Sequence, residues 1–274
     1  MDKVEFDWNQ AWKDARARQG PGRDKGADYW DKRAPSFAQH SKRSPYASAF
    51  LRLLGPSPDW SVLDVGCGAG TLAVPLARRV ERITAMDFSA TMLDLLRDRC
   101  EEGGITNITP VQLGWEDDWQ AAGIGVHDVA IASRSMLVGD LKDAISKLND
   151  HATVKVMVSL PVGDGPFDRA LFEAVGRDLD RGPDYIYLCN VLHQMGIFAD
   201  VAIVAGSRRP KAYRDLDDAV GGYRWMIEDM THEEESRLSR YLENHLVKSG
   251  AGWTLSRRHP VRWAVISWSV RLAK

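Results

Sequence analysis

The chain has 274 residues, enough for one large α/β domain or for a domain carrying a substantial insertion. With 44% hydrophobic residues and a formal net charge of −2, it can bury a core and offers no global attraction to nucleic acid or to an anionic membrane. Its three cysteines, Cys67, Cys100 and Cys189, are odd in number and far apart, which argues against a disulfide framework and for a reducing, cytoplasmic setting.

The first residues, Met1-Asp2-Lys3-Val4-Glu5-Phe6-Asp7, are too charged for a signal peptide. Residues 1–27 are polar and break at Gly20-Pro21-Gly22. Trp8 and Trp12 stand one helical turn apart, so a short helix with one aromatic face is expected there. A second helix is expected over about 27–40, carrying Tyr29, Trp30, Ala34 and Phe37. Ser44-Pro45 is a helix start, serine as cap and proline at the first position. Ala49, Phe50, Leu53 and Leu54 give that helix its buried stripe, and Gly55-Pro56 ends it.

A strand follows at about 60–65, then a helix over 71–80 that Pro75 should kink or shorten. The next strand is 82–87. Ser89 caps a helix with Met92, Leu93, Leu96 and Cys100 on one side, stopped by Gly103-Gly104. Further strands are expected at 108–113, 128–132 and 153–160, with a helix from Asp140 before the last. Strands alternating with helices at this pitch imply βαβ units and a parallel sheet.

The C-terminal half departs from this alternation. Residues 166–176 and 184–196 read as helices and 199–205 as a strand. Residues 206–230 are mixed, basic at Arg208, Arg209, Lys211 and Arg214. Thr231 with Glu234 forms a capping box, and helical spacing runs to Gly250. A strand over 261–270 closes the chain. Its apolar run, Trp263 to Val270, holds two serines between Arg262 and Arg271 and falls short of a membrane span. His193, on an apolar helix, reads as a core histidine. The seven histidines show no ligand spacing, so no metal is expected.

The most informative stretch is Ser61-Val62-Leu63-Asp64-Val65-Gly66-Cys67-Gly68-Ala69-Gly70. An apolar strand meets three alternate glycines, which let the chain turn sharply and bring bare backbone against a ligand. The dinucleotide fingerprint G-x-G-x-x-G is not met: Thr71 stands where its third glycine would be. Asp64 would also set a carboxylate near the phosphates, which is repulsive. A ligand with a positive, phosphate-free end suits the stretch better.

Leu63 to Gly70 resembles motif I of the class I S-adenosylmethionine-dependent methyltransferases, and Met86-Asp87-Phe88-Ser89-x-x-Met92-Leu93 looks like the family's second motif. The resemblance covers about residues 27–160. It is closest to ubiquinone- and menaquinone-biosynthesis enzymes and to type 11/12 methyltransferase domains. It implies a Rossmann-like α/β fold whose mostly parallel seven-stranded sheet has an antiparallel C-terminal edge. Residues 1–43 would be an N-terminal helical arm or cap. Residues 44–274 would be the methyltransferase domain, with a helical insertion at about 206–252 before the last strand. The implied cofactor is S-adenosyl-L-methionine, and the implied product S-adenosyl-L-homocysteine.

Ligands of open α/β sheets bind at the carboxyl ends of strands, near the point where strand order reverses. Gly66, Cys67, Gly68 and Gly70 would let the backbone approach the methionine part. Asp64 would hold its ammonium, or cap the helix that follows. Asp87 can accept both ribose hydroxyls. Phe88 or Met92 could lie on an adenine face, although Met92 equally suits core packing. After the third strand, Gly114 replaces the acidic residue common in relatives. The Trp115 backbone N–H and the Glu116 carboxylate are then the best contacts to the adenine edge, with Trp115 as plain core the alternative. Ser133 belongs to the segment Ala132-Ser133-Arg134-Ser135-Met136, which in the family lies beneath the sulfonium and faces the acceptor. Arg134, beside it, either neutralises an anionic substrate or forms a surface ion pair.

Methyl transfer from a sulfonium is an in-line displacement that asks mainly for orientation and a dry site. No residue can be assigned as general base. A D/N-P-P-Y/F motif is absent after the fourth strand, which counts against nucleobase and glutamine N-methylation. The leading expectation is a small-molecule acceptor, with no membrane and no nucleic-acid partner. Tyr29, Trp30 and Tyr46 either line its pocket or pack there. The alternatives are a protein or RNA acceptor, suggested by the basic run, and a non-catalytic S-adenosylmethionine-binding partner protein. An NAD-linked oxidoreductase is more remote.

Overall fold

Caps and breakers divide the chain much as their chemistry requires. The computed structural model describes residues 6–19, 26, 29–31, 44–206, 212–227, 229–250 and 252–270. Most of the helix expected over 27–40 lies outside the described residues, as do Arg208, Arg209 and Lys211; residues 29–31 are helical. Contacts divide the chain into two compact units. One comprises Met1–Pro161, Gly182–Val204 and Trp263–Lys274; the other comprises Val162–Arg181 and Ala205–Arg262.

The first unit opens with α1 (Trp8–Arg18), capped by the Asp7 side chain. Helix α2 (Pro45–Leu54) starts as its sequence requires: the Ser44 side chain accepts the Ala47 N–H, and Gly55 ends the helix in the left-handed conformation. Then come β1 (Ser61–Val65), α3 (Ala73–Leu76), β2 (Arg82–Asp87), α4 (Ala90–Gly103) and β3 (Ile108–Gln112). They are followed by β4 (His127–Ser133), α5 (Leu141–Asp150) and β5 (Ala152–Pro161). The helix expected over 71–80 is reduced to α3 and a 3-10 turn, Ala77–Arg79. Pro75 brings no N–H, and Leu72 at the cap position has no side-chain acceptor, so the glycine turn runs on to the helix start.

Helix α6 (Arg169–Val175) belongs to the second unit. Helix α7 (Tyr185–Gln194), β6 (Asp200–Ala205) and β9 (Arg262–Ser269) complete the sheet and its cover. The seven strands run in the order β3-β2-β1-β4-β5-β9-β6. Strands β1 to β5 pair in parallel, and β9 pairs antiparallel with β5. All five β1 residues are buried, as a central parallel strand covered on both faces must be. The core gathers Phe50, Leu54, Leu76, Ile83, Leu93 and Ile131, each fully buried and each contributing roughly 1.5–3 kcal/mol of apolar burial. His193 is not a core histidine: it sits exposed in the last turn of α7, edge-on to Phe198.

The second unit also contains α8 (Leu216–Tyr223), α9 (His232–His245), β7 (Leu246–Ser249) and β8 (Gly252–Leu255). Its own core holds Leu171, Phe172, Val175, Ala219, Leu238 and Leu242. The Thr231–Glu234 capping box is present. Helix α9 ends at His245 rather than at Gly250, because residues 246–249 pair as a hairpin with 252–255 around Gly250 at φ 62. Leu246 still packs on the same core, now from a strand. Helix α8, in the stretch read as mixed, starts on the Asp215 side chain. No described helix is long and apolar enough to cross a membrane, and no group of described residues could hold a metal ion.

Candidate functional site: the glycine turn and its carboxylates

Parallel register brings four strand ends to one edge of the sheet. Val65 pairs with Met86, next to Asp87; Asp64 pairs with Ile131, two residues before Ser133; and Ser133 pairs with Ser159. Strand order reverses between β1 and β4, which is where an open α/β sheet forms its ligand crevice.

The turn after β1 requires its glycines. Gly66, Gly68 and Gly70 have φ of 71, 52 and 74, a region L side chains avoid. The N–H groups of Gly66 and Cys67 both donate to the Met86 carbonyl, at 2.8 and 2.9 Å. A Cβ on Gly66 would lie 2.3 Å from Ser135 Cβ, and one on Gly70 2.5 Å from Leu96 Cδ1. Ser135 Oγ donates to the Val65 carbonyl at 2.6 Å, so the segment after β4 is tied to the start of the turn. Arg99 donates to the Ala69 carbonyl from α4.

Asp87 organises the other side. One carboxylate oxygen accepts the Gly68 N–H at 2.8 Å, and the other accepts the Ser89 N–H at 3.0 Å. Ser89 Oγ caps α4 through the Met92 N–H and also donates to Asp31. Met92 is buried against Ala69, with Trp30 packed beside them. Phe88 is partly exposed, and its Cβ faces Gly114. The Trp115 indole N–H donates to the Ser135 carbonyl at 2.9 Å. Glu116 is exposed. The register and the turn thus bring Asp64, the glycines, Asp87, Phe88 and Met92 together; Trp115 joins them through Ser135. Ser135 and Ser159 carry no motif of their own, and only their position at strand ends could have pointed to them.

Electrostatics narrows the ligand. Asp64 is buried, and its Oδ2 has no hydrogen-bond partner among the described residues; the same holds for Thr71 Oγ1 at the far side of the turn. Asp64 therefore does not cap α3 through that oxygen. Burial, with Asp87 nearby, pushes Asp64 up to about 7. Burial also raises Asp87, against the pull of the Ser89 and Gly68 N–H groups and with Asp31 adding negative field. Orphaned buried polar atoms call for a ligand or water. Three carboxylates around bare backbone repel a pyrophosphate and favour a cationic, hydroxyl-bearing molecule. S-adenosylmethionine, with an ammonium, a sulfonium and a ribose diol, fits this donor and acceptor set.

At the ends of β4 and β5, the buried Tyr46 hydroxyl lies 2.7 Å from Ser133 Oγ and 2.6 Å from Ser159 Oγ. Burial raises its pKa, while Arg134 and the two serines lower it, and the net is upward. Tyr46 is therefore a neutral hydroxyl here rather than a phenolate base. Arg134 is half-buried, with its guanidinium carbon 4.6 Å from the Tyr46 ring centre and 5.7 Å from that of Trp263. Trp12 of α1 is buried, and its indole N–H donates to the Val138 carbonyl at 2.8 Å, bracing the loop that continues from this segment.

Comparison with known proteins gives a consistent picture. A family profile described as a methyltransferase domain matches residues 62–155. An uncharacterised protein of Haemophilus influenzae is 33% identical over 246 residues, a match covering 88% of each chain. A ubiquinone biosynthesis O-methyltransferase of Methylocella silvestris is 35% identical over 98 residues, covering 30% of this chain and 38% of that relative. Partial matches also reach proteins named for ribosomal and transfer RNA methylation. Among solved structures, the YcgJ protein of Bacillus subtilis shares the fold with a TM-score of 0.55 at 13% identity, covering 86% of this chain and 100% of that one. The sheet order, the acidic glycine turn and these matches agree: the chain belongs to the class I S-adenosylmethionine-dependent methyltransferases and uses S-adenosylmethionine as its cofactor.

Proposed function

We propose that this enzyme methylates a small-molecule acceptor, in the cytoplasm. The observation that carries the reading is the surface at the ends of β4 and β5, where the half-buried Ser133 and Trp263 lie against the buried Tyr46 and Ser159. Such a surface suits a compact organic molecule; a nucleic-acid track needs a stripe of cations, and the net charge is −2. The unbridged cysteines Cys67, Cys100 and Cys189 support a reducing compartment.

When bound, S-adenosylmethionine supplies a methyl group already activated on its sulfonium. In this reading the chain's part is to bind and orient. Gly66, Cys67, Gly68 and Gly70 present backbone. Asp64 takes the ammonium with its orphaned oxygen. Asp87 keeps lone pairs for the ribose hydroxyls beyond those given to Gly68 and Ser89. Phe88 lies on the adenine face, with Met92 packed behind it against Ala69, and the Trp115 backbone N–H and Glu116 address the adenine edge. Ser133, held by Tyr46, faces the acceptor.

A labelled methyl donor, incubated with enzyme and cell extract split into small-molecule, RNA and protein fractions, tests the reading. Label in the small-molecule fraction supports it. Label confined to RNA, the reading favoured by the partial RNA-methyltransferase matches, or to protein, would overturn it.

A further inference from the structure

Three hydroxyls form a chain at the ends of β4 and β5: Tyr46 Oη lies 2.6 Å from Ser159 Oγ and 2.7 Å from Ser133 Oγ. Each hydroxyl has one hydrogen to give and two lone pairs to receive with. The surroundings of Ser159 decide which way the hydrogens run. Ser159 is fully buried, and its Oγ already accepts the backbone N–H of Arg134 at 3.0 Å. Among the described residues, Tyr46 is the one neighbour placed to take the Ser159 hydrogen. Were Tyr46 to donate to Ser159, that hydrogen would be buried without an acceptor, which is the costly way to leave a polar group. Ser159 therefore donates to Tyr46. Tyr46 is itself buried, and burial keeps its hydroxyl protonated; the remaining oxygen within its reach is Ser133 Oγ. Ser133 thus receives from Tyr46 and keeps its own hydrogen. It is half-buried at the end of β4, beside the point where strand order reverses, and no other described residue accepts from it. Ser135, two residues on, donates to the Val65 carbonyl, which ties this strand end to the glycine turn.

Resting on the small-molecule reading above, we propose that Ser133 is a specificity-determining hydrogen-bond donor, aimed by the chain Ser159 to Tyr46 to Ser133 at a lone-pair atom of the acceptor, such as a carbonyl oxygen. Tyr46 and Ser159 act through Ser133, as positioning residues. Hydrogen bonds in a run polarise one another in a site of low dielectric, so the last donor of the chain is strengthened. An ammonium or amide N–H brought to the same point meets a hydrogen instead of a lone pair and is disfavoured there.

Two measurements test this. Neutron diffraction from deuterium-exchanged crystals reads the direction of the chain: the Ser159 deuteron is expected toward Tyr46, and the Tyr46 deuteron toward Ser133. A Tyr46 deuteron directed at Ser159 overturns the proposal. For function, label transfer is followed at saturating methyl donor over serial dilutions of the small-molecule fraction of cell extract, which gives KM relative to wild type. Ser133→Ala should raise KM about tenfold with kcat changed less, and Tyr46→Phe should raise it about threefold. Ser133→Thr, which keeps the hydroxyl, should recover most of the loss. S-adenosylhomocysteine affinity by calorimetry should stay within about twofold of wild type in all three. Unchanged KM in Ser133→Ala, or an equal fall in its S-adenosylhomocysteine affinity, overturns the donor role and leaves the small-molecule reading standing. Label found only in RNA or protein overturns that reading, and the donor role with it.

Discussion

Asp87 and Gly68, on neighbouring strand ends, are joined by a carboxylate–amide bond of 2.8 Å, while the other oxygen of Asp87 holds the Ser89 N–H at 3.0 Å. The residue expected to bind ribose is therefore also the brace of the glycine turn and of the α4 start. Asp87→Ala should destabilise the ligand-free protein, by about 1–3 kcal/mol for N–H groups left without their acceptor. Urea unfolding of both proteins checks this; equal midpoints would show that the turn holds itself.

Gly66 is a tighter point of the turn than Gly70. Gly66→Ala adds a Cβ 2.3 Å from Ser135 Cβ at a φ of 71. Left-handed strain and overpacking together should cost about 2–4 kcal/mol. Gly104, the left-handed cap of α4 with nothing within 4 Å, is the control: Gly104→Ala should cost only about 1 kcal/mol. Equal losses in thermal melts would mean that the contact with Ser135 is unimportant.

Asp64 gives a pH dependence of defined sign. Its folded pKa of about 7 lies above the ordinary carboxylate value of 3.8, so the folded state disfavours the charged form. Its contribution to stability is fully present below about pH 4 and is lost as pH rises through about 7, up to about 4 kcal/mol over that window. Asp87 is raised as well and acts in the same direction. Asp64→Asn should flatten the fall in Tm between pH 5 and pH 8. Parallel curves for the two proteins would contradict the assignment.

Much of the sheet and of the glycine turn was legible because its signals are local. Alternate glycines after an apolar strand, Asp87 at the next strand end, and the Ser44, Ser89 and Thr231 caps each act within a few residues. What escaped is non-local or a contest between propensities. Tyr46 meets Ser159 across more than a hundred residues, and no pattern in either segment announces it. Residues 246–249 fit a helix by spacing, yet they pair with 252–255 once Gly250 turns the chain. His193 lies on a helix so rich in apolar residues that periodicity did not separate its exposed face.

Trp12 ties α1 into the first unit. It is 1% exposed, and its indole donates to Val138. Trp12→Ala should cost about 3–5 kcal/mol by chemical denaturation. Trp12→Phe keeps most of the packing and should lose about 1 kcal/mol for the missing hydrogen bond. An unchanged midpoint for Trp12→Ala would show that α1 contributes nothing to the fold.

The central claim is that bare backbone after β1, flanked by Asp64 and Asp87, binds the methyl donor. Calorimetric titration with S-adenosylhomocysteine tests it most directly. One molecule should bind per chain, with affinity falling about tenfold or more in Asp87→Ala. No binding to the wild-type protein, or equal affinity in the variant, would contradict the account.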